Sequence, residues 1–175
     1  CNPVQTFQQS YIHGYLGTVN RKYDFTGKLI RDRMVAPYRG TIVENEYAYD
    51  HAGRLLTTHQ KVFTHTRDSE ILLASYKYNG VGQLIEKNIH SEDGGASFLQ
   101  SIDYRYNIRG WLTHINNSEL NASPANDDTN DLFGMELMYN TNSPAIVVGD
   151  IPDNTYTQKS LFDGNISAVK WKTDT

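Results

Sequence analysis

Short segments of alternating aromatic and polar residues run through the first two thirds of this chain. The clearest are YAY at 47–49, YKY at 76–78 and IDYRY at 102–106. A period of two places one set of side chains on each face of a β-strand. No segment has a 3.6-residue apolar stripe of helical length. The pattern therefore predicts an all-β chain of about ten to twelve antiparallel strands, with one aromatic and one mostly polar face.

A seven-residue motif recurs four times among these segments. Each copy reads Tyr, then Asp or Asn, two variable residues, Gly, one variable residue and Leu, and the tyrosines are separated by 26, 29 and 28 residues. A fixed internal period in this range indicates repeated supersecondary units. The copies span residues 23–29, 49–55, 78–84 and 106–112.

The residue types of the motif predict a β-hairpin turn. Asp or Asn accepts backbone N–H groups two residues on. Gly three residues later takes the left-handed conformation and closes a three-residue loop as a G1 bulge. In the second copy this places Asp50 opposite Arg54. Tyr49 then faces Leu55 as an apolar cross-strand pair. The predicted turn residues are Asp24, Gly27, Asp50, Gly53, Asn79, Gly82, Asn107 and Gly110, with hairpin tips at 50–53, 79–82 and 107–110.

The motif is lost beyond residue 116, and no fifth full copy occurs. Residues 117–130 are polar and contain Pro124, which predicts a long loop. An Asp163-Gly164 turn precedes an alternating strand at 166–171. We therefore expect one domain over residues 1–175, with regular repeats at 18–116, a polar loop at 117–130 and irregular hairpins at 131–175.

The four copies resemble the YD-repeat, or RHS-repeat, family. Residues 49–55, YDHAGRL, match every position of the family signature. Asn79 and Asn107 replace the Asp but keep the turn chemistry. The resemblance covers residues 18–116 closely and 131–173 loosely.

The resemblance implies a fold of consecutive β-hairpins that form a curved, spiralling sheet. Large members of the family form hollow shells around a toxin domain, and others are associated with the bacterial cell wall. At 175 residues this chain is too short for a closed shell, and it lacks the family's Asp- and Pro-rich core signature. The implied function is a non-enzymatic scaffold module of an extracellular or cell-surface protein. Its implied partners are another segment of the parent repeat protein or cell-wall carbohydrate.

Charge and composition narrow the possible partners. The net charge is −4 and the basic residues are scattered along the sequence, so a nucleic-acid partner is not expected. No run of 18 apolar residues occurs, so no membrane span is expected. The single cysteine, Cys1, excludes an intrachain disulfide. It is either the lipid-bearing residue of a bacterial lipoprotein or an arbitrary chain boundary.

The sequence contains no convincing catalytic or metal-binding pattern. The six histidines show no HExxH spacing, and no nucleophile lies beside a base, so we expect no enzymatic activity, no cofactor and no metal. The acidic segment 126–131 is either a Ca²⁺ ligand set or a solvated loop. Glu44 and Glu46 share a strand face, either as paired carboxylates for acid–base work or, as we expect here, as a charge pair that protects a sheet edge. His114 is expected to face Tyr104 across a hairpin.

Four aromatic residues are the candidate binding residues. They form either a platform for a sugar or protein partner or part of a thin core: Trp111, Tyr104, Tyr106 and Trp171. The strand at 166–171 is apolar enough to pair edge to edge with a second copy of the chain. A homodimer, or a cap formed by the loop at 116–131, is therefore expected at this edge.

Overall fold

The structure, a computed structural model, describes residues 5–12, 15–36, 40–121, 130–139, 146–147, 155–156 and 161–174. These ranges contain thirteen β-strands and no helix. The predicted all-β class with consecutive hairpins is thus confirmed. The strands are β1 Gln5–Ile12, β2 Tyr15–Tyr23, β3 Leu29–Val35, β4 Ile42–Tyr49, β5 Leu55–Phe63, β6 Asp68–Tyr78, β7 Leu84–Ser91, β8 Gln100–Tyr106, β9 Leu112–Ile115, β10 Phe133–Met138, β11 Ile146–Val147, β12 Thr155–Tyr156 and β13 Ala168–Thr173.

The chain divides into two compact units, Cys1–Ser101 and Ile102–Thr175. In the first unit, β1 to β7 lie side by side in sequence order, and each is antiparallel to the next. In the second unit, β9 pairs with β8 and β10, β10 also pairs with β13, and β11 pairs with β12. The sequence predicts a single domain over residues 1–175, and that remains a prediction.

Every motif copy forms the turn between two consecutive strands. The motif tyrosine pairs with the motif leucine, and the strand register shifts just before the tyrosine. The motif glycines have φ between +79° and +87°, which is the left-handed region that favours glycine. The extra residue in each bulge sets the register of the whole hairpin: the residue before the tyrosine pairs with the residue nine positions later, as Lys77 does with Glu86.

Few apolar side chains are fully buried in the described part of the chain. Leu72 and Ala74 are buried in the first unit, and Met138 and Tyr139 in the second. Polar side chains therefore make many of the contacts between neighbouring strands. In the first unit, Asn45 joins Asp32 to Gln60 through side-chain hydrogen bonds across β3, β4 and β5.

Two sequence predictions about strand neighbours are wrong. Glu44 and Glu46 do not protect an edge, because β4 lies between β3 and β5. They form ion pairs with Arg31, Arg33 and Lys61 on those neighbours.

His114 faces Arg105 rather than Tyr104. The prediction extended the Tyr–Leu pairing without the extra residue of the bulge, which moves every later partner by one position. The last strand is also shifted from the predicted 166–171, since β13 runs from Ala168 to Thr173. The acidic segment 126–131 lies largely outside the described residues, as does Cys1.

Candidate functional site

The second residue of each motif copy organises its turn through its side chain. The Asp24 carboxylate accepts the backbone N–H of Thr26 at 2.8 Å and that of Lys28 at 2.9 Å. Hydrogen bonds from the Thr26 hydroxyl and the Lys28 amide hold the pKa of Asp24 below its ordinary value. Asn79 and Asn107 make the same pair of bonds through their amide oxygens. An amide oxygen can replace the carboxylate because the turn requires only an acceptor.

The tyrosines of the second and third copies each bind the preceding copy of the motif. The Tyr49 hydroxyl donates to the Leu29 carbonyl at 2.8 Å, and the Tyr78 hydroxyl donates to the Leu55 carbonyl at 2.9 Å. Burial raises the pKa of both phenols, so each remains a neutral donor near pH 7. The tyrosine of one hairpin is thereby joined to the leucine of the hairpin before it.

In the first two copies, the variable residue before the leucine lies over the tyrosine of the next copy. The Lys28 ammonium lies 5.7 Å from the centre of the Tyr49 ring, and the Arg54 guanidinium lies 4.8 Å from that of Tyr78. Both are within the range of a cation–π contact. Arg54 also forms a 2.6 Å ion pair with Asp50 in its own turn.

A fifth motif tyrosine, missed in the sequence, follows β10. The Tyr139 hydroxyl donates to the Leu112 carbonyl at 2.8 Å, as Tyr78 does to Leu55. Trp111, the variable residue of the fourth copy, lies 5.1 Å from the Tyr139 ring. Leu161 donates its backbone N–H to the Tyr139 carbonyl at 3.0 Å. The intervening segment, which contains β11 and β12, replaces a short glycine turn, so the spacing rule could not identify this copy.

The Trp111 ring is packed on several sides. Arg109 lies 5.1 Å from its centre and donates a hydrogen bond to the Phe162 carbonyl. A Cβ atom added at Gly164 would lie 2.9 Å from Trp111 Cζ2. Because the Tyr139 ring also lies close, the contacts of Trp111 serve packing within the second unit.

The other three aromatic candidates lie on β8 and β13. Tyr104 is paired with Ile115 and Tyr106 with Leu112, and both tyrosines are half-buried. Trp171 is 63% exposed and pairs with Met135. Since Met135 also pairs with Ile115, one face of the second unit carries a cross-strand row of Tyr104, Ile115, Met135 and Trp171.

The opposite face of these strands carries charges. Arg105 pairs with His114, His114 with Glu136, and Glu136 with Lys170. His114 Nε2 lies 3.6 Å from the Glu136 carboxylate. Burial, together with the Arg105 charge, lowers the pKa of His114, and Glu136 opposes this.

A charged pocket on the first unit was missed in the sequence. It has a volume of about 130 Å³ and is lined by Asn20, Lys22, Arg31, Arg33 and Glu44. The basic residues are scattered in the sequence, but the hairpin between β2 and β3 brings three of them together. The nine-residue offset set by the bulge is the signal that could have paired Lys22 with Arg31.

The described ranges hold no group of three or more His, Cys, Asp or Glu residues placed to bind a metal ion. In the same part of the chain, no helix is long and apolar enough to cross a membrane.

No protein-family model matches this chain, and a comparison with curated proteins gives no match either. The resemblance to the YD-repeat family therefore remains a prediction from the motif residues.

Proposed function

We propose that this chain is a non-enzymatic scaffold module of a bacterial cell-surface or secreted YD-repeat protein. The observation that carries the proposal is the hydrogen bond from a motif tyrosine to the leucine carbonyl of the preceding copy. The motif residues are thereby occupied in turn formation and in joining hairpins. A chain built in this way extends by adding copies, which is the property of a repeat scaffold.

The scaffold role predicts more copies of the motif in the parent protein. The test is to determine the complete reading frame and to search it for the Tyr-Asp/Asn-x-x-Gly-x-Leu spacing. The expected result is further copies in phase, at intervals close to those between residues 23 and 106. A complete protein with no copies of the motif beyond those in this chain would contradict the role in an extended scaffold.

An activity assay tests the non-enzymatic part of the proposal. Purified protein is incubated with panels of peptide, ester and glycan substrates, and the expected result is no turnover above buffer. Turnover that is lost when one carboxylate or histidine is changed to Ala would contradict the proposal.

A second candidate function is a carbohydrate- or cell-surface-binding module. The observation that favours it is the exposed Trp171 ring, which shares a strand face with Tyr104, since aromatic rings offer large contact surfaces to a partner. Co-sedimentation with insoluble cell-wall polysaccharide tests it. If this function is correct, Trp171→Ala abolishes sedimentation while Phe25→Ala, at another exposed aromatic residue, does not. Equal behaviour of both variants and the unmodified protein would exclude Trp171 as the binding residue.

A further inference from the structure

The pocket between β2, β3 and β4 contains an unusual juxtaposition of like charges. Lys22 lies directly opposite Arg31, and Arg33 follows two residues later on the same face. Like charges in this arrangement destabilise a sheet. The equivalent pair in the third copy, Lys77 and Glu86, instead has opposite charges and a 2.7 Å ion pair. The repeat geometry therefore does not require two cations at this place.

One carboxylate, Glu44, lines the pocket beside the cations. Glu44 lies 3.7 Å from Arg31 and 3.8 Å from Arg33, which is longer than a hydrogen bond. Lys22 has no ion pair among the described residues. Glu44 thus reaches two of the three cations at long distance, and the two guanidinium groups, about half exposed, line a space that a ligand can enter.

The lining of the pocket defines the chemistry of the ligand. Arg and Lys donors favour a carboxylate or another oxyanion. Glu44 would repel a simple anion, but it would accept hydrogen bonds from hydroxyl groups beside the anionic group. Asn20, opposite Arg33, offers both donors and acceptors. A ligand that carries a carboxylate and adjacent hydroxyls satisfies all these groups.

The size of the pocket fits a single sugar ring that carries these groups. Its volume of about 130 Å³ approaches the roughly 150 Å³ of a cavity that holds a benzene-sized molecule. We propose that this pocket binds a hexuronic acid unit of an acidic polysaccharide, with the carboxylate at Lys22, Arg31 and Arg33 and the hydroxyls at Glu44 and Asn20. This role is independent of the scaffold function and of the aromatic residues.

Nuclear magnetic resonance titration at constant ionic strength tests the site. The probes are glucuronate, glucose, acetate and sulfate, and the readout is the shift of backbone amide signals along β2, β3 and β4. Glucuronate is expected to bind about tenfold or more tightly than glucose or acetate, because only glucuronate engages both the cations and the hydroxyl acceptors. Failure of glucuronate to shift these signals would overturn the proposal.

Charge-matched variants identify the residues. Arg31→Gln and Arg33→Gln are each expected to weaken glucuronate binding about tenfold. Arg67→Gln, at an exposed arginine outside the pocket, removes the same charge and should bind like the unmodified protein. Equal weakening by Arg67→Gln would show that glucuronate binding depends only on the net charge of the protein, and it would overturn the assignment.

The Glu44→Ala variant distinguishes a ligand that carries both a carboxylate and hydroxyl groups from other anions. Removing the acceptor should weaken glucuronate binding and strengthen sulfate binding, since the repulsion of sulfate is lost. Tighter sulfate binding also shows that the variant is folded at this site. Sulfate that binds the unmodified protein as tightly as glucuronate, or tighter glucuronate binding to Glu44→Ala, would overturn the hexuronic acid assignment.

Discussion

The hydroxyl of Tyr78 donates a 2.9 Å hydrogen bond to the backbone carbonyl of Leu55, 23 residues earlier in the chain. Tyr78 belongs to the third copy of the motif and Leu55 to the second. The same bond joins Tyr49 to Leu29 and Tyr139 to Leu112. The motif thus has two uses: its Asp or Asn and its Gly form a turn, and its Tyr and Leu connect that turn to the neighbouring copies.

The left-handed motif glycines predict a position-specific cost of adding a side chain. Gly82 has φ +87°, whereas Gly80 in the same turn lies outside the left-handed region and has open space around its Cβ position. Gly82→Ala should lower the free energy of unfolding by about 1 kcal/mol. Gly80→Ala should change it by less than about 0.5 kcal/mol. Urea denaturation compares the two, and equal midpoints would contradict the turn geometry.

The contact between Gly164 and Trp111 predicts a local change in fluorescence. Gly164→Ala would place a Cβ atom 2.9 Å from the Trp111 ring and displace the ring toward solvent. In a Trp171→Phe background, where Trp111 is the only tryptophan, the emission should shift to longer wavelength. Gly94→Ala is the control, because Gly94 also has a positive φ but has no neighbour within 4 Å. Identical spectra for the two variants would contradict the packing of Trp111.

The lowered pKa of His114 predicts a pH dependence of stability. A histidine whose pKa is lower in the folded state binds a proton more readily when unfolded, so stability falls as the pH drops below about 6.5. Arg105 reinforces this effect and Glu136 opposes it. His114→Gln should therefore reduce the slope of the unfolding free energy between about pH 5 and 7. An unchanged slope in His114→Gln would contradict the assignment.

The exposed strand β13 predicts self-association. Val169 is 46% exposed and Trp171 is 63% exposed. Among the described strands, β13 lies at an edge of its sheet, next to β10. Light scattering should show a mass that rises with protein concentration. Val169→Lys should keep the protein monomeric, because a charged residue blocks edge pairing. Ile108→Lys, at an exposed turn residue, should leave the self-association unchanged. An unmodified protein that is monomeric at every concentration would contradict the prediction.

Local residue types were sufficient to predict the hairpins but not the contacts between them. Asp50, Gly53 and their equivalents encode a turn within seven residues, so the sequence predicted the strands around them. The bond from Tyr78 to Leu55 crosses from one copy to the next, and its geometry depends on the bulge register. The same register moves His114 opposite Arg105 and brings Lys22 beside Arg31.

The candidate site was only partly predictable for the same reason. Trp111 stands out in the sequence as an aromatic residue in a turn, but its packing depends on Tyr139 and Gly164. Tyr139 is separated from its pairing partner Leu161 by a long segment in place of the short glycine turn. The Tyr139-Asn140 pair repeats the first two positions of the third and fourth copies, but without the Gly and Leu at their usual spacing it does not predict a fifth motif tyrosine.

Urea denaturation of Tyr78→Phe tests most directly whether the tyrosine hydroxyl holds neighbouring copies together. The variant keeps the ring and removes only the donor to Leu55, so the free energy of unfolding should fall by about 1 kcal/mol. Tyr76→Phe is the matched control, two residues away on the same strand, since the Tyr76 hydroxyl has no hydrogen bond within the described residues. The denaturation midpoint should fall for Tyr78→Phe alone, at an unchanged slope. Midpoints that coincide for both variants and the unmodified protein would contradict it.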